Sequence, residues 1–244
     1  MEAIKINNLT KVYKDVVAVD NLNLTIAEGE LFALLGVNGA GKTTTIKMLA
    51  TLTKATSGDA LIMGNSILKN ADAIKQYIDI SMQETAIARN LTVEENIEFY
   101  ARLSGQSRQE IQKCKEHIYK IFQLGQFANK KASKLSGGWQ RKLSIALALV
   151  TKPKVLFLDE PTLGLDVIAR RELWKTIKEL KKQMTIILTT HYMEEAEALA
   201  DRIGVMKDGK LLFVGSKQEM FDKTGKNNVE DAFVEIVSGG GSDE

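Results

Sequence analysis

The run Gly36-Val-Asn-Gly-Ala-Gly-Lys-Thr43 has the residue types and the spacing to grip phosphate. Glycines at 36, 39 and 41 let the backbone turn tightly and aim N–H groups at an anion with no Cβ in the way. The run fits G-x-x-x-x-G-K-[ST], the P-loop pattern, in which Lys42 can reach the β- and γ-phosphates and the Thr43 hydroxyl can ligate Mg²⁺. Candidate phosphate contacts are therefore Gly36, Asn38, Gly39, Ala40, Gly41, Lys42, Thr43 and Thr44. Asp159 and Glu160 supply adjacent carboxylates. Asp159 is the expected second Mg²⁺ partner, and Glu160 is placed to orient an attacking water or take its proton. His191 can hydrogen-bond a γ-phosphate. Ser136-Gly-Gly138, at a helix start, reads either as a second anion site or as an ordinary N-cap.

Chemistry of this kind needs elements that bring the groups to one place. Leu31-Phe-Ala-Leu-Leu35 reads as a buried strand, and Thr44-Thr-Ile-Lys-Met-Leu-Ala50 as a helix with Ile46, Leu49 and Ala50 on one face. Val155-Leu-Phe-Leu158 and Thr185-Ile-Ile-Leu-Thr189 are two more apolar strands, ending in Asp159-Glu160 and at His191. Ligands of an open parallel sheet bind outside the carboxyl ends of its strands, so one phosphate site can collect all three groups.

Around that core, residues 4–26 and 59–63 alternate as antiparallel strands. Tyr13 lies among them, an edge tyrosine or an aromatic on which a base can stack. Ile78, Ile80 and Met82 alternate up to Gln83 at a strand end. Thr92-Val-Glu-Glu95 and Ser107-Arg-Gln-Glu110 are capping-box patterns, with Gly125 expected to stop the second helix. Cys114 and its apolar neighbours at helical spacing read as packing. Leu143 to Val150 form a buried helix, and Asp166 opens an amphipathic one. Asp208-Gly209 marks a hairpin, Ser216-Lys-Gln-Glu219 caps a short helix, and Val229, Phe233 and Ile236 stripe a last one. The expected fold is α/β: a RecA-like P-loop NTPase core at 1–83 and 141–237, a small antiparallel β-subdomain, and an inserted α-helical subdomain at 84–140. Residues 238–244 are expected to be a disordered tail.

Composition excludes several classes. Across 244 residues, 44% hydrophobic and 26% charged content is that of a globular protein. A net charge of +2 gives no argument for nucleic acid as a partner. One cysteine excludes an intrachain disulfide and a multi-cysteine metal site. No apolar run approaches the roughly 18–20 residues of a membrane span, and the N-terminus lacks a signal-peptide layout. A cytoplasmic location is expected.

With these residues in place, the sequence resembles the ATP-binding subunit of ABC transporters over nearly its whole length. Leu135-Ser-Gly-Gly138 is similar to the family's signature, the most specific of the matches. The resemblance identifies Gln83 with the Q-loop, in contact with Mg²⁺ and the reacting phosphate, and Glu160-Pro-Thr-Leu-Gly-Leu-Asp166 with the D-loop. It identifies His191 with the switch histidine and Tyr13 with the adenine-stacking aromatic. It implies that ATP and Mg²⁺ are bound, that Glu160, His191 and Gln83 are catalytic, and that Ser136, Gly137, Gly138 and Asp166 contact nucleotide. It further implies a homodimer, or a dimer with a related ATPase subunit, closed head to tail around two ATP. That dimer would sit at the cytoplasmic face of the membrane against an integral-membrane permease. Trp139 stands where the signature usually has Gln, and Leu163 where the D-loop usually has Ser.

The run from Arg89 to Tyr100 and the stretch Val229-Glu-Asp-Ala-Phe233 look like those of exporters of drugs, antibiotics or lipid-linked polymers. Importer subunits often carry a longer C-terminal regulatory domain. The alternative is a soluble ABC ATPase, of which an iron–sulfur assembly ATPase best fits the length.

Overall fold

The computed structural model describes residues 1–239. Its first two strands, β1 (Glu2–Tyr13) and β2 (Val16–Ala27), form an antiparallel ribbon that leads into β3 (Leu31–Gly36). The P-loop turns β3 into helix α1 (Lys42–Leu49). Strands β4 (Ser57–Ile62) and β5 (Asn65–Ser66) then join the ribbon, and a short helix α2 (Ala71–Ile74) leads to β6 (Ile78–Ser81). Helices α3 (Val93–Leu103), α4 (Arg108–Phe122) and α5 (Gly137–Ala148) follow. Next come β7 (Val155–Asp159), α6 (Val167–Lys181), β8 (Thr185–Thr190) and α7 (Met193–Leu199). The hairpin β9 (Arg202–Lys207) and β10 (Lys210–Gly215), with helices α8 (Lys217–Thr224) and α9 (Val229–Ser238), completes the described chain.

Two sheets result. A four-stranded sheet has the order β2-β1-β4-β5, and a six-stranded one the order β10-β9-β3-β8-β7-β6. In the larger sheet β9, β3, β8, β7 and β6 run parallel, and β10 is the antiparallel edge. This is the P-loop core with a small antiparallel sheet and inserted helices that the sequence predicts.

The larger sheet is buried on both faces, which is why β3, β7 and β8 read as unbroken apolar runs rather than alternating ones. Side chains still alternate. Leu31, Ala33, Leu35, Leu156, Leu158, Ile186 and Leu188 pack toward the helices from α3 onward. Phe32, Leu34, Val155, Phe157 and Ile187 pack toward α1 and the small sheet. Cys114 is buried among the first set, as packing.

Three helix starts carry complete capping boxes, at Thr92/Glu95, Ser107/Glu110 and Ser216/Glu219. The hairpin turn is Asp208-Gly209, with φ of 47° and 78°. Gly125 does not stop α4. The helix ends on Gln123 at φ 57°, and Gly125 lies inside the 3₁₀ turn Leu124–Phe127, its Cα facing the Tyr119 ring. Ser238 is the last residue of α9, with Gly239 as its left-handed cap, so the expected tail does not begin there. Residues 240–244 lie outside the described residues.

Candidate active site

The parallel pairing sets β3, β8 and β7 side by side, so Gly36, Thr190 and Asp159 end their strands at one margin of the sheet. From β3 the chain passes Val37-Asn-Gly39 and enters α1 through Gly41. Gly41 has φ 101°, and a Cβ there would stand 2.3 Å from the Ala18 carbonyl oxygen. Only glycine fits that approach. The loop is also tied from behind: the Gly209 N–H donates to Ala40 O, and Gly209 O accepts from the Asp20 N–H.

The first turn of α1 leaves N–H groups without intrahelical acceptors at the positive end of the helix dipole. They face a cleft of about 190 Å³ lined by Ala18, residues 38–44, Gln83 and Glu160. Phosphate oxygens suit such a surface.

Lys42 is buried, and its ammonium donates to Gly36 O (2.8 Å) and Val37 O (3.1 Å). It lies 3.5 Å from Glu160 Oε1. Burial holds its pKa below the ordinary lysine range, against the opposing pull of Glu160 and Asp159. The Thr43 hydroxyl sits 3.0 and 3.1 Å from the two Asp159 carboxylate oxygens. A hydroxyl and a carboxylate converging beside the phosphate cleft are hard oxygen donors. That set fits Mg²⁺, which takes its other ligands from phosphate and water.

Glu160 follows β7 in the left-handed region, at φ 49°. That conformation is uncommon outside glycine. It is held by the Glu160 N–H, which donates to Thr189 O and to Thr189 Oγ1, both at 3.1 Å. The Thr189 hydroxyl in turn donates to Asp159 Oδ1 at 2.5 Å. The kink aims the Glu160 carboxylate at Lys42 on one side and at His191 on the other, where Nδ1 lies 2.5 Å from Glu160 Oε2. The His191 ring also stacks at a tilt on Tyr192, with centroids 4.1 Å apart.

Lys42, Glu160 and His191 are thus in direct contact, as are Thr43 and Asp159, and Thr189 joins the two groups, with Gln83 on the cleft wall. Other sequence candidates stand apart from the cleft. Ser136, Gly137 and Gly138 begin α5, outside the cleft lining. Ser136 and Gly137 are exposed, and the Ser136 hydroxyl makes no cap hydrogen bond although it occupies the N-cap position. Asp166 is engaged as the N-cap of α6, accepting from the Ile168 and Ala169 N–H groups. Tyr13 ends β1, 44% exposed, with the Lys11 ammonium over its ring at 4.7 Å.

Sequence reasoning missed Arg141. It is 4% exposed on α5, and its guanidinium donates to the carbonyls of Met82, Gln83, Asp159 and Pro161. One side chain therefore fixes the backbone on both sides of Glu160 and beside Gln83. Burial pushes its pKa down to about 10, which leaves it charged at neutral pH. The available signal was weak: Arg141 and Lys142 stand together just before the apolar run at residues 143–150, and nothing local marks Arg141 as buried. Thr189 was also missed, because β8 reads as apolar.

The ABC transporter family model matches residues 19–163, more than half of the chain. A curated human relative, the phospholipid-transporting ATPase ABCA3, is 44% identical over 229 residues, which are 91% of this chain and 13% of that one. The chain spans between 9% and 25% of the length of the first curated relatives it matches.

Among solved structures, cbiO1 from Clostridium perfringens, part of the ABC transporter complex cbiONQ, superposes with a TM-score of 0.84. It is 30% identical, with 91% of each chain covered. The ATP-binding cassette MJ0796, dimeric in a post-hydrolysis state with ADP and Pi, superposes with a TM-score of 0.78 at 29% identity. That match covers 87% of this chain and 98% of the other. Among the described residues no helix is long and apolar enough to cross a membrane. The phosphate-gripping loop, the paired carboxylates at the strand ends and these matches lead to one statement: the chain belongs to the ABC transporter family, as an ATP-binding, ATP-hydrolysing cassette.

Proposed function

We propose that this cassette hydrolyses ATP at the Lys42–Glu160–His191 cluster to drive a membrane-spanning partner of the exporter type. The observation that carries the reading is Glu160, whose two carboxylate oxygens face Lys42 and His191 at the mouth of the P-loop cleft.

In this state Lys42 is spent on two backbone carbonyls and on Glu160. A triphosphate in the cleft offers it better-matched oxygens, and its departure frees Glu160 to take the proton of an attacking water. His191, already against Glu160, then hydrogen-bonds the phosphoryl group being transferred. Backbone N–H groups of residues 39–44 hold the phosphates, and Tyr13 offers an exposed ring to the base. Thr43 and Asp159, with Gln83 beside them, would hold Mg²⁺, which supplies charge neutralisation on the β- and γ-phosphates. Asp166, which ends the D-loop segment and caps α6, acts on the nucleotide through that segment.

Ser136, Gly137 and Gly138 serve a second nucleotide, that of a facing copy or a related cassette. The unused Ser136 hydroxyl and the exposed Gly137 beside it support this reading. The exporter assignment rests on the stretch from Arg89 to Tyr100 and on the name of the human relative, a phospholipid transporter. A lipid-like amphipathic cargo at the cytoplasmic face follows from it. Affinity capture from membranes is expected to bring down a multi-spanning protein, and capture of soluble iron–sulfur assembly proteins instead would overturn the partner assignment.

Glu160→Gln is expected to bind ATP and to lose turnover by about 10²–10³-fold, as removal of a general base does. Steady-state ATPase rates beside calorimetric ATP binding test it. Unchanged turnover removes Glu160 from its role.

A further inference from the structure

A buried carboxyl lies beneath the segment that follows Glu160, and the chemistry described above leaves it unused. Glu195, in the first turn of α7, is fully buried. Its Oε1 accepts from Trp174 Nε1 of α6 at 3.0 Å, and its Oε2 has no hydrogen-bond partner among the described residues. Thr162, two residues beyond Glu160 and equally buried, has a hydroxyl that is also without a partner. The hydroxyls of Thr162 and Thr190 both approach the Glu195 carboxyl, yet neither satisfies Oε2. Burial holds Glu195 above the ordinary carboxylate range. The charged groups that also act on it are Glu160, which disfavours its ionisation, and Arg141. A carboxyl has acceptor sites enough for both hydroxyls as well as for the Trp174 N–H.

The two threonines sit at informative places. Thr190 directly precedes His191, and Thr162 follows Glu160-Pro161. Two unpartnered polar atoms side by side in a dry interior are costly, and a small shift of the D-loop segment toward α7 would pair them. We propose that Glu195 is a positioning residue for ATP hydrolysis, which by bonding Thr162 and Thr190 fixes the two segments that carry Glu160 and His191.

The inference rests on the hydrolytic reading above, and Glu160→Gln measured alongside separates the two. If Glu160→Gln remains active, that reading fails. If Glu160→Gln is dead and the Glu195 variants are intact, only this inference fails.

Glu195→Ala and Thr162→Val are each expected to lower kcat about tenfold, the scale of a small misplacement of reacting groups, with ATP affinity within about twofold of wild type. Glu195→Gln, which keeps the shape and a donor and an acceptor, is expected to retain at least about half of kcat. The double variant Glu195→Ala/Thr162→Val should be no slower than the worse single one, because both break the same contact. A merely structural role would lower stability and ATP affinity together, with losses that multiply in the double variant. Wild-type kcat in Glu195→Ala, a Gln variant as slow as the Ala one, or multiplying losses would each overturn the proposal. Should Glu195→Ala fail to fold, the near-isosteric Glu195→Gln and Thr162→Val decide it, since Thr162→Val at full speed is an equal refutation.

Discussion

Arg141 donates to the carbonyls of Met82, Gln83, Asp159 and Pro161, so a single planar group holds the Q-loop, the end of β7 and the D-loop in one register. Two of those bonds, to the Asp159 and Pro161 carbonyls, are buried away from water. Arg141→Ala should therefore leave several carbonyls unpaired and cost about 3 kcal/mol. For a chain of this size that is a fall in melting temperature of roughly 6–12 °C. Turnover should drop by about tenfold while ATP affinity changes little, because the P-loop is not touched. Arg141→Lys retains the charge but not the fork, and is expected to recover only part of the loss. Thermal melts and steady-state kinetics on the two variants check this, and an unaltered melt in Arg141→Ala would refute it.

Trp139, where the family usually has Gln, has a packing account. It meets Phe127 edge to face at 4.7 Å, and the Lys142 ammonium covers its ring at 4.3 Å. Leu163 is 38% exposed on the D-loop and has no polar atom to offer a partner.

At the scale of elements, the strand–loop–helix around Lys42 was legible because three constraints coincide in consecutive residues. An apolar run must be buried, glycines must turn, and a helix must open. The capping boxes at Thr92, Ser107 and Ser216 were legible for the same reason: each is a local pairing between residues three apart. What stayed hidden depends on contacts distant in sequence. Helix α7 was missed because seven residues give too little periodicity, and nothing local marks its Glu195 as buried against Trp174. The end of α4 was misplaced because tertiary packing put the left-handed residue at Gln123, not at the glycine.

The two inner P-loop glycines sharpen the same point. Gly39 has φ 83° and open space where a Cβ would stand, whereas Gly41 has φ 101° and the Ala18 carbonyl oxygen at 2.3 Å. Gly39→Ala pays for backbone conformation alone, about 1–2 kcal/mol. Gly41→Ala adds a clash with main chain and must move β2 or open the loop. Denaturant unfolding of both should place Gly41→Ala well below Gly39→Ala, and equal stabilities would contradict this account of the loop.

At the scale of the whole molecule, the P-loop cleft and the second phosphate surface proposed at Ser136, Gly137 and Gly138 sit on one chain without meeting. The cleft lining includes residues 38–44, Gln83 and Glu160 but none of Ser136, Gly137 or Gly138. A surface that binds the same ligand from elsewhere is completed by a second copy under two-fold symmetry, P-loop to signature. This proposed pairing makes a prediction that no monomeric enzyme shares. Lys42→Ala removes the phosphate grip, and Ser136→Arg blocks the facing surface, so each chain alone should be inactive. Mixed, half of randomly formed dimers are hybrids, in which one of two sites has both an intact Lys42 and an intact Ser136. About a quarter of wild-type turnover should return if the sites act independently. The same mixture should show activity rising more steeply than linearly with protein concentration below the dimer dissociation constant. If mixing restores nothing while each variant still folds, the site is not shared between chains and Ser136 has no part in it.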